Sequence, residues 1–127
     1  MSLNIQATVK GNSARLGLPF SKIADAVLGS KYELSLTFIG EQKMRALNKA
    51  YRNKDYATDI LSFPIDTNLG EIYICENIAR KKARVREESE HTYLGFLFIH
   101  GCLHLKGMTH GNKMEKAERT LRERFGI

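Results

Sequence analysis

Three of the four histidines in the chain, His100, His104 and His110, lie close together near its C-terminal end. On an α-helix, residues four apart lie on one face, so His100 and His104 can present both imidazoles to one metal ion. Gly107 can adopt the left-handed conformation that ends a helix, which would bring His110 back to the same ion. Three nitrogen ligands leave a fourth position open on zinc, as in catalytic centres, where bound water is acidified to a pKa of about 7. The spacing therefore predicts a catalytic site with one zinc ion per chain.

The same spacing occurs in the metzincin peptidases, whose motif is H-E-x-x-H-x-x-G-x-x-H. In those enzymes the glutamate after the first histidine acts as general base. Here that position is Gly101, which has no side chain to move a proton. The sequence therefore predicts a metal site with hydrolytic chemistry of another kind.

Composition narrows the class of protein. With 127 residues and 43% hydrophobic residues, the chain has the size of one domain around a single core, so we expect residues 1–127 to form a single domain. The net charge of +6 favours an anionic partner such as nucleic acid.

We find no signal-peptide pattern and no apolar run long enough to span a membrane, and expect a soluble, cytoplasmic protein. Two cysteines fit a reducing compartment, and Cys102 should face the core.

A cluster of basic residues spans positions 80–86 at the end of a predicted helix. It could contact a phosphate backbone, or it could be a solvated helix end where cations are favoured by the helix dipole. The sequence leaves both interpretations open.

Hydrophobic periodicity predicts an α+β domain. Strands are expected near residues 3–9, 34–38, 60–65 and 71–75, the last two forming a hairpin, and helices near residues 19–28, 41–51, 76–84, 87–106 and 113–124. In the second helix, Met44, Leu47 and Tyr51 mark the inner face. The fourth helix is apolar around its circumference, so it should be the central buried helix and carry the histidine pair at its exposed end.

Polar residues are concentrated in the segment 47–64, which joins the second helix to the third strand. Arg52 could offer its guanidinium to a phosphate, and Asp55 could hold it in place by pairing. Alternatively, Asp55, Thr58 and Asp59 satisfy backbone groups of the turn while Arg52 forms a surface ion pair.

The sequence contains three motifs, which are Tyr51-Arg52-x-x-Asp55-x-x-Thr58-Asp59-Ile-Leu-Ser62-Phe63-Pro64, Gly70-Glu-Ile-Tyr-Ile-Cys75 and His100-Gly-x-Leu-His104-Leu-x-Gly107-x-x-His110. Together they resemble the bacterial YbeY family of endoribonucleases and ribosomal RNA maturation factors. The resemblance implies a mixed sheet and one zinc ion held by the three histidines. It also implies zinc-dependent cleavage of single-stranded RNA in the 3′-end maturation of small-subunit (16S) ribosomal RNA and in ribosome quality control. The implied partners are ribosomal RNA, the small ribosomal subunit and its assembly factors.

By the same resemblance, Arg52 matches the arginine that the family needs for activity, so Arg52 and His100 are the expected catalytic residues. Ser62 and the backbone near Phe63 are expected to line the cleft. Two positions depart from the family pattern: Ala57 replaces a proline, and Thr109 replaces an aspartate that commonly precedes the third histidine.

The sequence does not identify the general base. Glu71, Asp59 and Glu115 are candidates, and the nucleophile could be a zinc-bound hydroxide or the 2′-hydroxyl of the substrate. Two other functions remain open. One is a metallohydrolase of another substrate, such as a divergent peptidase; the other is an RNA-binding ribosome-assembly factor with a mainly structural zinc.

Overall fold

The computed structural model describes residues 2–9, 15 and 17–127, and in these ranges strands and helices follow the predicted order. The elements are β1 (Ser2–Ala7), α1 (Phe20–Leu28), β2 (Glu33–Phe38), α2 (Glu41–Arg52), β3 (Ile60–Asp66), β4 (Leu69–Ile74), α3 (Glu76–Val85), α4 (Glu90–Leu105) and α5 (Asn112–Phe125). The α+β class, the four strands and the five helices are confirmed.

The four strands form one mixed sheet in the order β1-β2-β4-β3. β1 and β4 both run parallel to β2, whereas β3 and β4 form the predicted antiparallel hairpin. The turn of this hairpin consists of two residues, Thr67 and Asn68, and β4 begins at Leu69. β3 therefore lies at an edge of the sheet, and one side of its backbone is not paired with any other strand of the described residues.

The sheet has apolar side chains on both faces. The larger cluster joins α1 and α4 to one face through residues such as Leu36 and Phe98, while the smaller one joins α2 to β3 through Met44 and Leu61. Side chains alternate between the two faces of a strand, so neighbouring residues of β3 reach both clusters. The edge strand β3 is thus enclosed between α4 on one face and α2 on the other.

The central helix α4 is buried as predicted, but it is shorter than the sequence suggested. It begins at Glu90 rather than near residue 87, because Glu87 adopts a left-handed conformation with φ of 56°. Ser89 then caps the helix, its side chain accepting a hydrogen bond from the Thr92 amide. Cys102 is fully buried, as expected.

One other detail of the predicted core is wrong. Tyr51, assigned to the inner face of α2, is 65% exposed, and the buried position of that turn is Asn48 instead. In the described part of the chain, no helix has the length and apolar character needed to cross a membrane.

Candidate metal centre and cleft

The three predicted ligands meet in space. Donor atoms of His100, His104 and His110 all lie within 4.8 Å of one another. The ring of His110 has its centre 5.2 Å from that of His100 and 4.9 Å from that of His104, although His110 lies beyond the end of the helix. These three residues are close enough to hold one metal ion.

Gly107 brings His110 back to the helix in the manner that the sequence predicted. Its φ is +100°, in the left-handed region. The Gly107 amide donates to the carbonyl of His104, and the Met108 amide donates to the carbonyl of Leu103. This pair of bonds is the Schellman motif, which satisfies carbonyls left free at a helix end and reverses the chain.

Each helical histidine uses one ring nitrogen within the protein. Nδ1 of His104 donates to the Met108 carbonyl at 3.0 Å, and Nδ1 of His100 donates to Oε1 of Glu118 at 3.2 Å. A carbonyl and an ionised carboxylate can only accept hydrogen bonds, so these contacts assign the proton of each neutral ring to Nδ1 and leave the Nε2 lone pair available. The protein thus fixes the tautomer that presents Nε2 to a cation.

The spacing of the two helical donors is close to that of ligands on a tetrahedral ion. The two Nε2 atoms are 3.0 Å apart. Two Zn–N bonds of about 2.0–2.1 Å at a tetrahedral angle would separate their nitrogens by about 3.3 Å, close to this value. Burial of His104 and the neighbouring His100 lower the pKa of His104, which favours the neutral form that binds metals.

The histidines lie in a cleft of about 560 Å³ beside the edge strand β3. Its walls come from α2 and the turn after it, from β3, and from the end of α4 with the loop that follows: Asn48, Arg52, Lys54, Tyr56, Thr58, Asp59, Ile60, Leu61, Ser62, Pro64, His100, His104, Gly107, Met108, Thr109 and His110. Ser62 lines the cleft as expected, and so does Thr109. Arg52 and the histidines, widely separated in sequence, therefore share one cavity.

Arg52 is held by the backbone of β3. Its Nη2 donates to the Ser62 carbonyl at 3.0 Å and its Nη1 to the Tyr51 carbonyl at 3.4 Å. Its guanidinium lies 4.7 Å from the ring centre of Phe63. Of the two interpretations of this segment, the pairing of Asp55 with Arg52 is not found, because Asp55 pairs with Arg45 at 2.8 Å. The alternative, a surface ion pair of Arg52, is not found among the described residues either. Arg45 comes from the preceding turns of α2 and reaches Asp55 at the protein surface.

The three carboxylates suggested as general base lie in different places. Glu71 and Glu115 are not part of the cleft wall, whereas Asp59 is. The carboxylate of Asp59 accepts hydrogen bonds from Tyr93 at 2.8 Å and Thr58 at 3.2 Å, and it is 3.3 Å from Nζ of Lys82. Asp59 therefore joins the start of β3 to α3 and α4, and its oxygens are already engaged.

The turn after α2 is fixed by the buried Asn48, whose side-chain amide donates to the Tyr56 carbonyl at 2.9 Å. Ala57 occupies the position where the family that the sequence resembles has proline. It is half-buried against the smaller apolar cluster. Neither Ala57 nor the exposed Thr109 can serve as a general base in place of a carboxylate.

The absence of a side chain at Gly101 has a packing explanation. A Cβ atom there would lie 2.8 Å from Ile60, 3.0 Å from Ser62 and 3.1 Å from Ile72. This position of α4 faces the sheet rather than the cleft, and Ser62 donates a hydrogen bond to the Gly101 carbonyl at 3.3 Å. A glutamate at this position would meet the sheet before it could reach the cleft.

The basic cluster of α3 is largely paired with carboxylates. The ion pairs are Arg80 with Glu90 at 3.0 Å, Lys81 with Glu41 at 3.3 Å, Lys82 with Asp59 at 3.3 Å and Arg86 with Glu88 at 3.2 Å. These partners neutralise much of the positive charge, which favours the interpretation as a solvated helix end over a phosphate-binding surface.

Two site residues were missed by sequence reasoning. Glu118 reaches His100 only because α5 packs on α4, and no local pattern links positions eighteen residues apart. Asn48 did carry a signal, since an amide on the inner face of an amphipathic helix needs a hydrogen-bond partner.

Comparison with known proteins agrees with this geometry. Residues 6–125 match the family model described as Endoribonuclease YbeY. Relatives with that name include those of Staphylococcus carnosus, 38% identical over 98 residues, and Alkaliphilus oremlandii, 40% identical over 102 residues. These matches cover 68% and 72% of this chain, and 64% and 68% of the relatives. The matched region thus spans about two thirds of the length of these relatives.

A solved structure is similar over nearly the whole chain. The solution structure of TM1509 from Thermotoga maritima superposes with a TM-score of 0.71 at 26% sequence identity, covering 98% of this chain and 89% of that one. With the family match over residues 6–125, the identity to curated relatives and the shared fold, the chain belongs to the YbeY family.

Proposed function

We propose that this chain is a zinc-dependent endoribonuclease specific for single-stranded RNA. It would act in 3′-end maturation of small-subunit (16S) ribosomal RNA and in ribosome quality control, in the cytoplasm, with the small ribosomal subunit and its assembly factors as partners. Residues 1–127 would work as one metallohydrolase domain. The family and the names of the relatives support RNA cleavage. The observation that carries the proposal is the presence of three converging imidazoles and Arg52 in one cleft.

Zinc is the ion that the donor set favours. Three imidazole nitrogens with no carboxylate among them suit zinc better than magnesium or calcium, which prefer oxygen ligands. His100, His104 and His110 would hold one ion. When bound, it would supply a Lewis acid that polarises a phosphoryl oxygen or acidifies a water molecule.

Arg52 is suited to bind the phosphate that is cleaved. Among the described residues it forms no ion pair with a carboxylate, so its positive charge is not neutralised within the protein. A guanidinium has five N–H donors, and two backbone bonds leave others for phosphate oxygens. Because the Ser62 carbonyl fixes its position, Arg52 can stabilise charge that develops on the phosphate with little reorganisation.

A peptidase function receives less support from the site. The metzincin general base would stand at Gly101, and this position packs against Ile60 and Ile72 of the sheet. In the described part of the chain, the cleft wall has one carboxylate, Asp59, which is engaged by Tyr93 and Lys82. The cationic cleft suits an anionic substrate better than a neutral peptide.

The decisive experiment measures cleavage of a labelled single-stranded RNA by zinc-loaded protein, metal-free protein and two arginine variants of equal zinc content. Arg52→Ala should lower the cleavage rate by about 100-fold or more, as for loss of a preorganised charge-stabilising donor. Arg45→Ala is the matched control, because Arg45 lies on the same helix but pairs with Asp55 at the surface. It should cleave like the unchanged protein.

The outcomes separate the remaining alternatives. Zinc-dependent cleavage that fails in Arg52→Ala supports the proposal, and a cyclic phosphate on the product ends would identify the 2′-hydroxyl as nucleophile. RNA binding without cleavage at full zinc occupancy would point to an assembly factor. If His100→Ala unfolds the protein, zinc has at least in part a structural role.

A further inference from the structure

Two aromatic side chains of the described residues are exposed to solvent. The chain has five tyrosines and six phenylalanines, all in the described ranges. Only Tyr51 and Tyr56 are exposed, by 65% and 54%. Leaving two large rings in water forgoes the stabilisation that burial would give, so a role outside the core is expected for them.

Tyr51 is exposed but supported from behind. Its ring packs edge-on against Phe63 with 5.4 Å between ring centres, and Phe63 packs in the same manner against Tyr73 at 5.9 Å. The guanidinium of Arg52 also lies on the ring of Phe63. These contacts restrain the Tyr51 ring, so little side-chain entropy remains to be lost when a flat ligand stacks on it.

Tyr56 forms part of the cleft wall itself. Asn53 ends α2 in a left-handed conformation with φ of 58°, which turns the chain towards the cleft. The bond from Asn48 to the Tyr56 carbonyl then fixes the backbone at this position. Tyr56 is therefore presented by an anchored turn, and its ring remains accessible.

Two basic residues, Arg52 and Lys54, lie between Tyr51 and Tyr56 in the sequence. Arg52 and Lys54 both line the cleft that holds the histidines. Alternation of exposed aromatic rings with basic groups is the pattern by which proteins bind single-stranded nucleic acids, with rings stacking on bases and cations contacting phosphates. Bases within a duplex already stack on each other, so such rings favour unpaired nucleotides.

We propose that Tyr51 and Tyr56 form a stacking platform for unpaired nucleobases on either side of a phosphate held at Arg52. This inference rests on the proposed RNA cleavage and assigns the binding of neighbouring nucleotides to named residues. Arg52 and Lys54 beside the rings favour RNA over an apolar protein surface, because they attract the phosphates that connect the stacked bases.

The test measures RNA binding in the absence of cleavage. Metal-free protein, shown by circular dichroism to keep the fold of the zinc-loaded protein, is titrated into a short single-stranded oligoribonucleotide that carries a fluorescent purine analogue, whose emission falls when it stacks on an aromatic ring. Tyr51→Ala and Tyr56→Ala should each weaken binding by roughly 5- to 100-fold and reduce the quenching. Tyr51→Phe and Tyr56→Phe keep the ring and should restore both signals.

Two controls separate stacking from other effects. Val85→Ala removes an apolar side chain that is 85% exposed on α3, and should leave RNA affinity unchanged. The alanine variants of the tyrosines should keep the salt dependence of binding, whereas Arg52→Ala should reduce its slope by about 0.7 per lost phosphate contact. Unchanged thermal unfolding of the tyrosine variants would show that they are folded.

The failure of this inference can be distinguished from that of the proposed function. Unchanged RNA affinity and quenching in both alanine variants would overturn the platform while leaving zinc-dependent cleavage intact. If the protein without substitutions does not bind single-stranded RNA, both the proposed function and the platform are overturned.

Discussion

At the scale of single residues, the site depends on acceptors that orient its ligands. The Met108 carbonyl and the Glu118 carboxylate each accept a hydrogen bond from Nδ1 of a helical histidine. Without such an acceptor an imidazole can rotate or change tautomer, and its Nε2 lone pair no longer points to the ion. Glu118 is therefore a positioning residue, although it is not placed among the ligands.

Substitution of Glu118 should weaken zinc binding. Glu118→Ala removes the acceptor of His100 and should lower zinc affinity by about 10- to 100-fold, measured by competition with a chelating indicator. Glu118→Gln keeps an oxygen acceptor without the charge, so its zinc affinity should lie between that of the protein without substitutions and that of Glu118→Ala. Glu123→Ala, an exposed position on the same helix, is the control. Equal zinc affinity in the Glu118→Ala and Glu123→Ala variants would contradict this role.

At the scale of secondary structure, the end of α4 determines whether the third histidine can join the first two. The Schellman motif at Gly107 reverses the chain and also places the Met108 carbonyl against His104. One helix end thus supplies both the return path for His110 and an acceptor for His104.

Gly107→Ala should therefore affect both stability and zinc binding. A left-handed conformation costs a non-glycine residue about 1–2 kcal/mol, so the free energy of unfolding should fall by about that amount in urea titration. Zinc affinity should fall as well, because the substitution disfavours the turn that presents His110.

The control for this variant is Gly29→Ala. Gly29 has φ of +90° and, like Gly107, has no neighbouring atom within 4 Å of an added Cβ. Gly29→Ala should cost at least as much stability, because φ of +90° with ψ of 170° is a conformation open almost only to glycine, but Gly29 follows α1 and is not part of the cleft wall. Loss of zinc affinity in both variants to the same extent would show that general destabilisation, rather than the turn at Gly107, is responsible.

How much could be predicted from sequence depends on whether a feature is local. The histidine pair, the turn at Gly107 and the hairpin follow from spacings of a few residues, and all were found as predicted. The partner of Arg52 was not, because the Ser62 carbonyl becomes its acceptor only when β3 lies at the sheet edge beside α2. Contacts between distant elements depend on packing that no local pattern encodes.

At the scale of the whole molecule, the cleft exists because two layers meet around one edge strand. α4 packs on one face of the sheet and α2 on the other, and β3 separates them. Because the cleft lies between these two layers, a change that destabilises either layer should also affect the cleft. The clearest such change with pH concerns Glu76, a buried carboxyl at the start of α3.

Glu76 should make the protein less stable as the pH rises. Burial raises its pKa above the ordinary 4.5, and Arg15, 3.3 Å away, together with Arg80 opposes this only in part. Among the described residues, neither carboxylate oxygen has a hydrogen-bond partner. The folded protein therefore binds this proton more tightly than the unfolded chain, so the contribution of Glu76 is most favourable in acid and is lost as the pH rises through its folded pKa.

Glu76→Gln removes this titration and should be more stable than the unchanged protein at neutral pH, with the difference vanishing in acid below pH 4.5. Urea unfolding at a series of pH values measures the difference. Asp55→Asn is the control of opposite sign, because Arg45 lowers the pKa of Asp55, though its effect should be small at this exposed site. A Glu76→Gln variant less stable than the unchanged protein at neutral pH would mean that its attraction to Arg15 outweighs the cost of burying the charge.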